Sequence, residues 1–205
     1  MKGKLITLEG IDGSGKSTVA KKLQKNPEIK AFEPVFTREP TRSTLTGNAV
    51  EKAIQSNTDQ LAELFLFTAD HAEHLAKLVK PALESGKIVI SDRYSDSRYA
   101  YQGVTLKTRL ENPLEWIKSL HQGWTIVPDL TFLFDIRPEV SIGRCGKRGE
   151  QSKFEKLEFL RAVREIFLRL AAEDPERFIV IDASRSPKYI EKEVTKRILE
   201  FLSRN

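Results

Sequence analysis

Short, nearly continuous apolar runs recur along the chain at 4–10, 34–40, 87–94, 128–136 and 177–184. Between them lie longer stretches in which apolar residues return every three or four positions. The short runs predict buried strands and the longer ones amphipathic helices. Val19, Ala20 and Leu23 share one face of a helix over 17–25. A long helix is predicted from Asp59 towards Leu83, bent near Pro81 and ended by Gly86. Further helices are expected over 113–120, 153–171 and 187–202. Strands that are apolar throughout, alternating with helices, imply a parallel sheet covered on both faces. Ligands of such sheets gather beyond the carboxyl ends of the strands. The polar stretches EGIDGSGKS, TREP, SDRYSDS and DIRPE each follow a strand, so all four are expected at one site.

Composition narrows the class. The chain has 205 residues, enough for one domain with a sizeable core. The net charge of +5 would draw nucleic acid, anionic lipid or phosphorylated small molecules. The basic residues are dispersed and no nucleic-acid-binding module is recognisable, so a nucleic-acid partner is not expected. The longest apolar runs are too short to span a bilayer, so no membrane partner is expected either. Cys145 is the only cysteine, which excludes an intrachain disulfide and a multi-cysteine metal site. With no secretory pattern at the N-terminus, a reduced, cytoplasmic location is expected.

Residues 10–17, GIDGSGKS, fit G-x-x-x-x-G-K-[ST] between a predicted strand and a predicted helix. Glycines let the backbone turn tightly and present N–H groups to phosphate oxygens, and the helix N-terminus adds partial positive charge. Gly10, Ile11, Asp12, Gly13, Ser14, Gly15, Lys16, Ser17 and Thr18 are therefore the expected nucleotide-binding residues. Lys16 should bridge the outer phosphates, and Ser17 should ligate magnesium. Such a loop gives nucleotide binding without fixing the reaction. The guanine signature N-K-x-D of GTPases is absent.

Beyond this loop the chain resembles the thymidylate kinases, P-loop nucleoside-monophosphate kinases that phosphorylate dTMP. The resemblance is carried by EGIDGSGKST, TREP, LFLFTADHAEH, SDRYSDSRYAYQG, PDLTFLFDI and RCGKRG followed by KFEKLEFLRAVREIF, in the family's order and spacing. It implies an α/β fold with a five-stranded parallel sheet in the order 2-3-1-4-5, flanked by helices. It also implies ATP as donor, Mg2+, a homodimer, and one domain over 1–205 with a short lid near 143–153.

The chemistry fits that implication. The acceptor phosphate is already ionised near neutral pH, so no general base is needed. The difficulty is to bring two anions together and stabilise the charge that spreads over the transferring group. Arginine suits the task, because its planar fork stays charged. By resemblance Arg38 and Arg93 hold the monophosphate, with Arg93 also approaching the transferring group. Their alternative is ion pairing with Glu39 and Asp92. Asp92 resembles the acid that supports magnesium. Asp12 would point out of the phosphate cradle towards the acceptor's 3′-hydroxyl; alternatively it stabilises the loop as a turn residue.

Phe67 matches the aromatic that stacks on thymine, with core packing as its alternative. Tyr101 matches the tyrosine that disfavours a 2′-hydroxyl, and Ser97 a small polar residue near the base. His71 stands where many members carry an arginine that donates to thymine O4. It lies on one helix face with Phe67 and could reach the base edge, giving weaker selection against dUMP, or could pair with an acid on the helix surface. Arg98 and Tyr99 are bulkier than expected beside Ser97 and receive no role. Arg144 and Arg148 are the candidate catalytic arginines of the lid, which could otherwise be a solvated basic loop. Adenine is expected near 183–185. Competing readings are a kinase for dUMP or UMP and a P-loop regulator without transfer activity.

Overall fold

The computed structural model describes residues 3–145 and 153–203. The strands are β1 (Lys4–Glu9), β2 (Val35–Arg38), β3 (Ile88–Asp92), β4 (Leu130–Asp135) and β5 (Phe178–Asp182). They form one parallel sheet in the order β2-β3-β1-β4-β5. This is the expected topology, and each strand lies inside its apolar run. Leu5, Ile6, Leu8, Val89, Ile90, Phe132, Leu133 and Phe134 are buried at the centre. Thr7 and Thr131, also buried, hydrogen-bond to each other across β1 and β4 at 2.8 Å.

The helices are α1 (Lys16–Leu23), α2 (Pro27–Lys30), α3 (Leu45–Gln55), α4 (Gln60–His74), α5 (Lys80–Glu84), α6 (Ser95–Thr105), α7 (Pro113–His121), α8 (Pro138–Cys145), α9 (Lys153–Glu173) and α10 (Pro187–Ser203). The predicted long helix is interrupted where expected, and the form of the break is specific. A π-helical turn, Leu75–Val79, separates α4 from α5, which carries Pro81. Proline offers no N–H and its ring crowds the carbonyl four residues back, so the turn before it widens. No described helix is long and apolar enough to cross a membrane.

Four helices, α2, α3, α6 and α8, lie where the sequence pattern shows little. In α6, seven residues of SDSRYAYQGVT are buried, among them Ser95, Asp96, Ser97, Arg98 and Gln102. Its inner face is polar, so hydrophobic periodicity does not reveal it. Asp96 is held there by Arg177 at 2.7 Å. Helix α3 packs so closely on the preceding loop that a Cβ at Gly47 would meet the Thr41 carbonyl oxygen at 2.1 Å.

Candidate active site

The carboxyl edge of the sheet sets the site's frame. Leu8 and Arg38 both stand in register with Asp92. The Arg93 N–H donates to the Leu8 carbonyl at 3.0 Å, and the Glu39 N–H donates to the Asp92 carbonyl at 3.1 Å. The chain thus leaves β1, β2 and β3 at one level, delivering Gly10, Glu39 and Arg93 to a common rim. Gly10 has φ +138°, and a Cβ there would lie 2.6 Å from the Phe134 carbonyl oxygen, so the loop can hug β4 only with glycine. Gly15, at φ +95°, opens α1.

Within the loop, Lys16 is buried. Its ammonium donates to the Ile11 carbonyl at 2.8 Å and to Ser14 Oγ at 3.1 Å. Burial, with Arg93 nearby, pulls its pKa down to about 7 against the attraction of Asp92 and Asp12. Ser17 Oγ donates to Asp92 Oδ2, while Asp92 Oδ1 is buried with no partner among the described residues. A hydroxyl beside a carboxylate with a spare oxygen suits a hard divalent cation that takes its other ligands from water and phosphate. Among the described residues no group of three or more His, Cys, Asp or Glu could hold a metal.

A cavity of about 510 Å³ opens beside the loop, lined by Asp12, Arg38, Phe67, Arg93, Ser97 and Tyr101 among others. Arg93 organises its near wall. Nη1 donates to the Gly10 carbonyl at 3.1 Å and to Ser97 Oγ at 2.9 Å, and Nη2 donates to Asp12 Oδ1 at 2.6 Å. The guanidinium also lies over the Tyr101 ring, 5.0 Å from its centroid. Arg93 has φ +72°, a left-handed conformation uncommon for a bulky residue and typical of functional turns. Burial disfavours its charge, but Tyr101, Asp12 and Glu9 raise its pKa.

The Asp12 N–H donates to Tyr101 Oη at 3.0 Å. Burial favours protonation of the Asp12 carboxyl, but Arg93 and Lys16 outweigh it and lower its pKa. Arg38 has no ion-pair partner among the described residues, and its buried Nε is unpaired. Neither arginine takes the alternative pairing with its chain neighbour that the sequence left open. Ser97 Oγ donates to buried Glu9, so its hydroxyl is engaged with Glu9 and Arg93. Burial, with Asp96 nearby, pushes Glu9 up to about 8. Phe67 is half-buried in the cavity wall and outside the core clusters.

His71 does not reach the cavity. The ring is fully buried, with Nδ1 donating to Glu39 Oε1 at 2.7 Å and Nε2 bonded to Thr125 Oγ1 at 2.6 Å. Both nitrogens are committed, so the expected contact with a base edge is corrected. It pairs with an acid, as the alternative had it, but inside the protein. The chain's three histidines, His71, His74 and His121, are all buried around Glu39 and Arg98. Glu39 Oε1 accepts from His71 and from His74 Nδ1 at 2.8 Å, and Oε2 accepts from Arg98 Nη1. Arg98 Nε donates to His121 Nε2 at 3.1 Å, and His121 Nδ1 donates to the Ile117 carbonyl at 2.8 Å, which requires a neutral ring. Burial and Arg98 push His121 down to about 4. Burial would raise the Glu39 carboxyl, but His71 and Arg98 hold it well below the usual range. Nothing in sequence periodicity marks this network; the run TREP followed by DHAEH contains its residues but not their convergence.

Three of the four polar stretches meet at this cavity. The fourth, around Asp135 and Arg137, lines a neighbouring cavity of about 210 Å³ with Arg164, Asp182 and Ser184. Ser141 Oγ joins the two regions by donating to the Asp12 carbonyl. Arg144 donates to the Ala183 and Ser184 carbonyls, at 2.9 and 3.4 Å, and so sits beside the loop after β5. Arg148 lies outside the described residues, as does most of the expected lid.

A phosphate loop on a 2-3-1-4-5 sheet, beside a cavity that brings Arg38 and Arg93 together, defines a P-loop kinase of small phosphorylated acceptors. The family model for thymidylate kinase matches residues 8–194. A protein from Methanosarcina barkeri named probable thymidylate kinase is 88% identical over 205 residues, the whole of both chains. One of the same name from Methanosarcina acetivorans is 78% identical over 204 residues, covering 100% of this chain and 99% of its own. The crystal structure of thymidylate kinase from Ehrlichia chaffeensis superposes with a TM-score of 0.74 at 31% identity, covering 97% of this chain and 100% of that one. The chain belongs to the thymidylate kinase family.

Proposed function

We propose that this chain transfers the γ-phosphoryl group of ATP to dTMP, giving dTDP and ADP, with the 510 Å³ cavity as the dTMP site. The observation that carries this reading is the meeting of Arg38 and Arg93 in a cavity that adjoins the Lys16 loop. A regulator that only bound a nucleotide would need one anion site, and the paired arginines beside the Lys16 loop support a second.

The residues divide the work. The Lys16 ammonium and the backbone N–H groups of the loop, apart from that of Asp12, which is given to Tyr101, receive the donor's phosphates. Arg38, without an ion pair among the described residues, takes the acceptor phosphate, and Arg93 bridges acceptor and loop. Asp12 fixes Arg93 and faces the acceptor sugar. Phe67 stacks on the base, Ser97 supports Arg93 at the base end, and the Tyr101 ring fills the space a 2′-hydroxyl would need. Ser17 and Asp92 would hold Mg2+, which when bound supplies charge neutralisation between the phosphates. Arg144 and Arg148 belong to the lid near 143–153, bringing further positive charge from the donor side. Family membership supports a homodimer, a single domain and a cytoplasmic location as parts of the same reading.

The test is product analysis. The protein is incubated with ATP, Mg2+ and dTMP, dUMP, UMP or dCMP in turn, and nucleotides are separated chromatographically. Formation of dTDP with stoichiometric ADP is expected. Absence of any diphosphate product beyond ADP would support the regulator instead.

A further inference from the structure

Four buried side-chain atoms lack a hydrogen-bond partner among the described residues: Arg38 Nε, Asp92 Oδ1, Tyr94 Oη and Arg98 Nη2. The first two belong to the phosphate and metal positions already described. Arg98 is different. It is 3% exposed, its side chain lines the cavity, and two of its three nitrogens are committed, Nη1 to Glu39 and Nε to His121.

We infer that Arg98 is a specificity-determining residue whose Nη2 donates to the carbonyl oxygen at ring position 4 of the acceptor pyrimidine. This rests on the reading of the cavity as the acceptor site. Three observations lead to it. A buried N–H donor without an acceptor is costly, so the site favours an occupant that supplies one. The charge of Arg98 is already balanced by Glu39, so what Nη2 lacks is a neutral acceptor and not a second anion. Arg38, by contrast, has no ion pair within the described residues and is left for phosphate.

The choice of carbonyl follows from the nucleotide's own geometry. The oxygen at position 2 flanks the glycosidic bond and stays on the sugar side. The oxygen at position 4 projects away from the sugar, towards a wall that is not needed for phosphate. Cytosine carries an amino group there, and a donor facing Arg98 Nη2 leaves both unpaired.

The guanidinium is held from several sides. Glu39 accepts from Arg98, His71 and His74 together, and neutral His121 accepts from Nε. A fork fixed in this way loses little freedom on meeting a ligand. His71, His74 and His121 are therefore positioning residues that act through Glu39 and Arg98.

The test compares two substrates on each of two enzymes. The substrates are dTMP and its analogue with a 5-methyl-2-pyrimidinone base, which lacks the oxygen at position 4. The enzymes are wild type and Arg98→Met. The altered protonation of ring nitrogen 3 in the analogue is common to both enzymes and cancels in the comparison. Wild type should lose about tenfold or more in kcat/KM on removal of the oxygen, mostly through KM, a loss typical of an unpaired buried donor. Arg98→Met should treat the two substrates within about threefold of each other, because the group that reads the oxygen is gone. If Arg98→Met does not fold, Arg98→Lys, which keeps a charge beside Glu39 without the fork, carries the comparison. An equal loss in wild type and variant, or no loss in wild type, overturns the inference. Failure of wild type to phosphorylate dTMP at all would instead contradict the assignment of the cavity.

Discussion

Asp12 Oδ1 and Arg93 Nη2 form a direct ion pair at 2.6 Å, joining the phosphate loop to the turn after β3. This explains an acid inside an anion-binding loop. The carboxylate is turned to a guanidinium, which meets its charge, while its own N–H is given to Tyr101. The Asp12 side chain is 57% exposed, and pairs of that kind contribute about 0–1 kcal/mol to stability. Asp12→Ala should therefore leave the melting temperature nearly unchanged. Turnover should fall about tenfold or more, since Arg93 loses the group that orients it. Calorimetry and steady-state kinetics on one preparation check both halves. A large loss of stability with normal turnover would make the pair structural.

Lys16 gives a pH signature. Burial lowers its pKa to about 7 in the free protein, from the ordinary 10.5 of a lysine. Phosphates received by the ammonium restore its affinity for a proton. ATP binding at pH 8 should therefore take up a proton, seen as a binding enthalpy that changes with the ionisation enthalpy of the buffer. The dependence should shrink at pH 6 and be lost in Lys16→Met. The same depression has a stability consequence. Between about 7 and 10.5 the unfolded chain binds the extra proton, so this group's contribution to stability rises with pH across that window. Lys16→Met should accordingly gain most over wild type at low pH, a trend that thermal melts across the range would reveal.

His71 is now a core residue by geometry. Its ring packs edge-on against Tyr94 at 4.6 Å between centroids, and it bridges Glu39 to Thr125. His71→Ala creates a cavity and removes a donor from buried Glu39, which should cost about 2–4 kcal/mol. The melting temperature should fall by roughly 5–15 °C for a chain of this size. An unchanged melting temperature with a raised KM for dTMP would return the ring to the base pocket.

Tyr101 separates into a ring and a hydroxyl. The hydroxyl accepts from the Asp12 N–H and from Arg93 Nη2, at 3.0 and 3.3 Å, while the ring lines the cavity. Tyr101→Phe should lower turnover with dTMP and leave the preference for dUMP over UMP intact. Tyr101→Ala should weaken that preference as well, because the space for a 2′-hydroxyl opens. The ratio of kcat/KM for the two nucleotides in each variant decides it. If Phe and Ala variants discriminate alike, the ring does not select the sugar.

What was legible in the sequence follows the strength of local signals. The five strands announce themselves as apolar runs, and the loop at 10–17 has a spacing that few other structures require. Arg38 and Arg93 fall on one cavity because they stand at the ends of adjacent strands, joined there by Ser97 and Tyr101 from one face of α6 and by Phe67 from α4. His71 was misplaced because helical spacing gives a face only to within a turn. On α4 its ring meets Glu39 and Thr125 instead of the base pocket. Arg98 was unassigned because a buried arginine is readable only through its partners, and Glu39 and His121 come from distant segments. Helix α6 carried no apolar stripe, since its inner face is the polar wall of the site itself.

The most direct measurement is a crystal structure of the protein with dTMP and a non-hydrolysable ATP analogue with Mg2+. The expected result is dTMP in the 510 Å³ cavity, its phosphate between Arg38 and Arg93 and facing the terminal phosphate at Lys16, with Ser17 at the metal. A monophosphate bound elsewhere, or one whose phosphate faces away from the loop, would contradict phosphoryl transfer between these two sites.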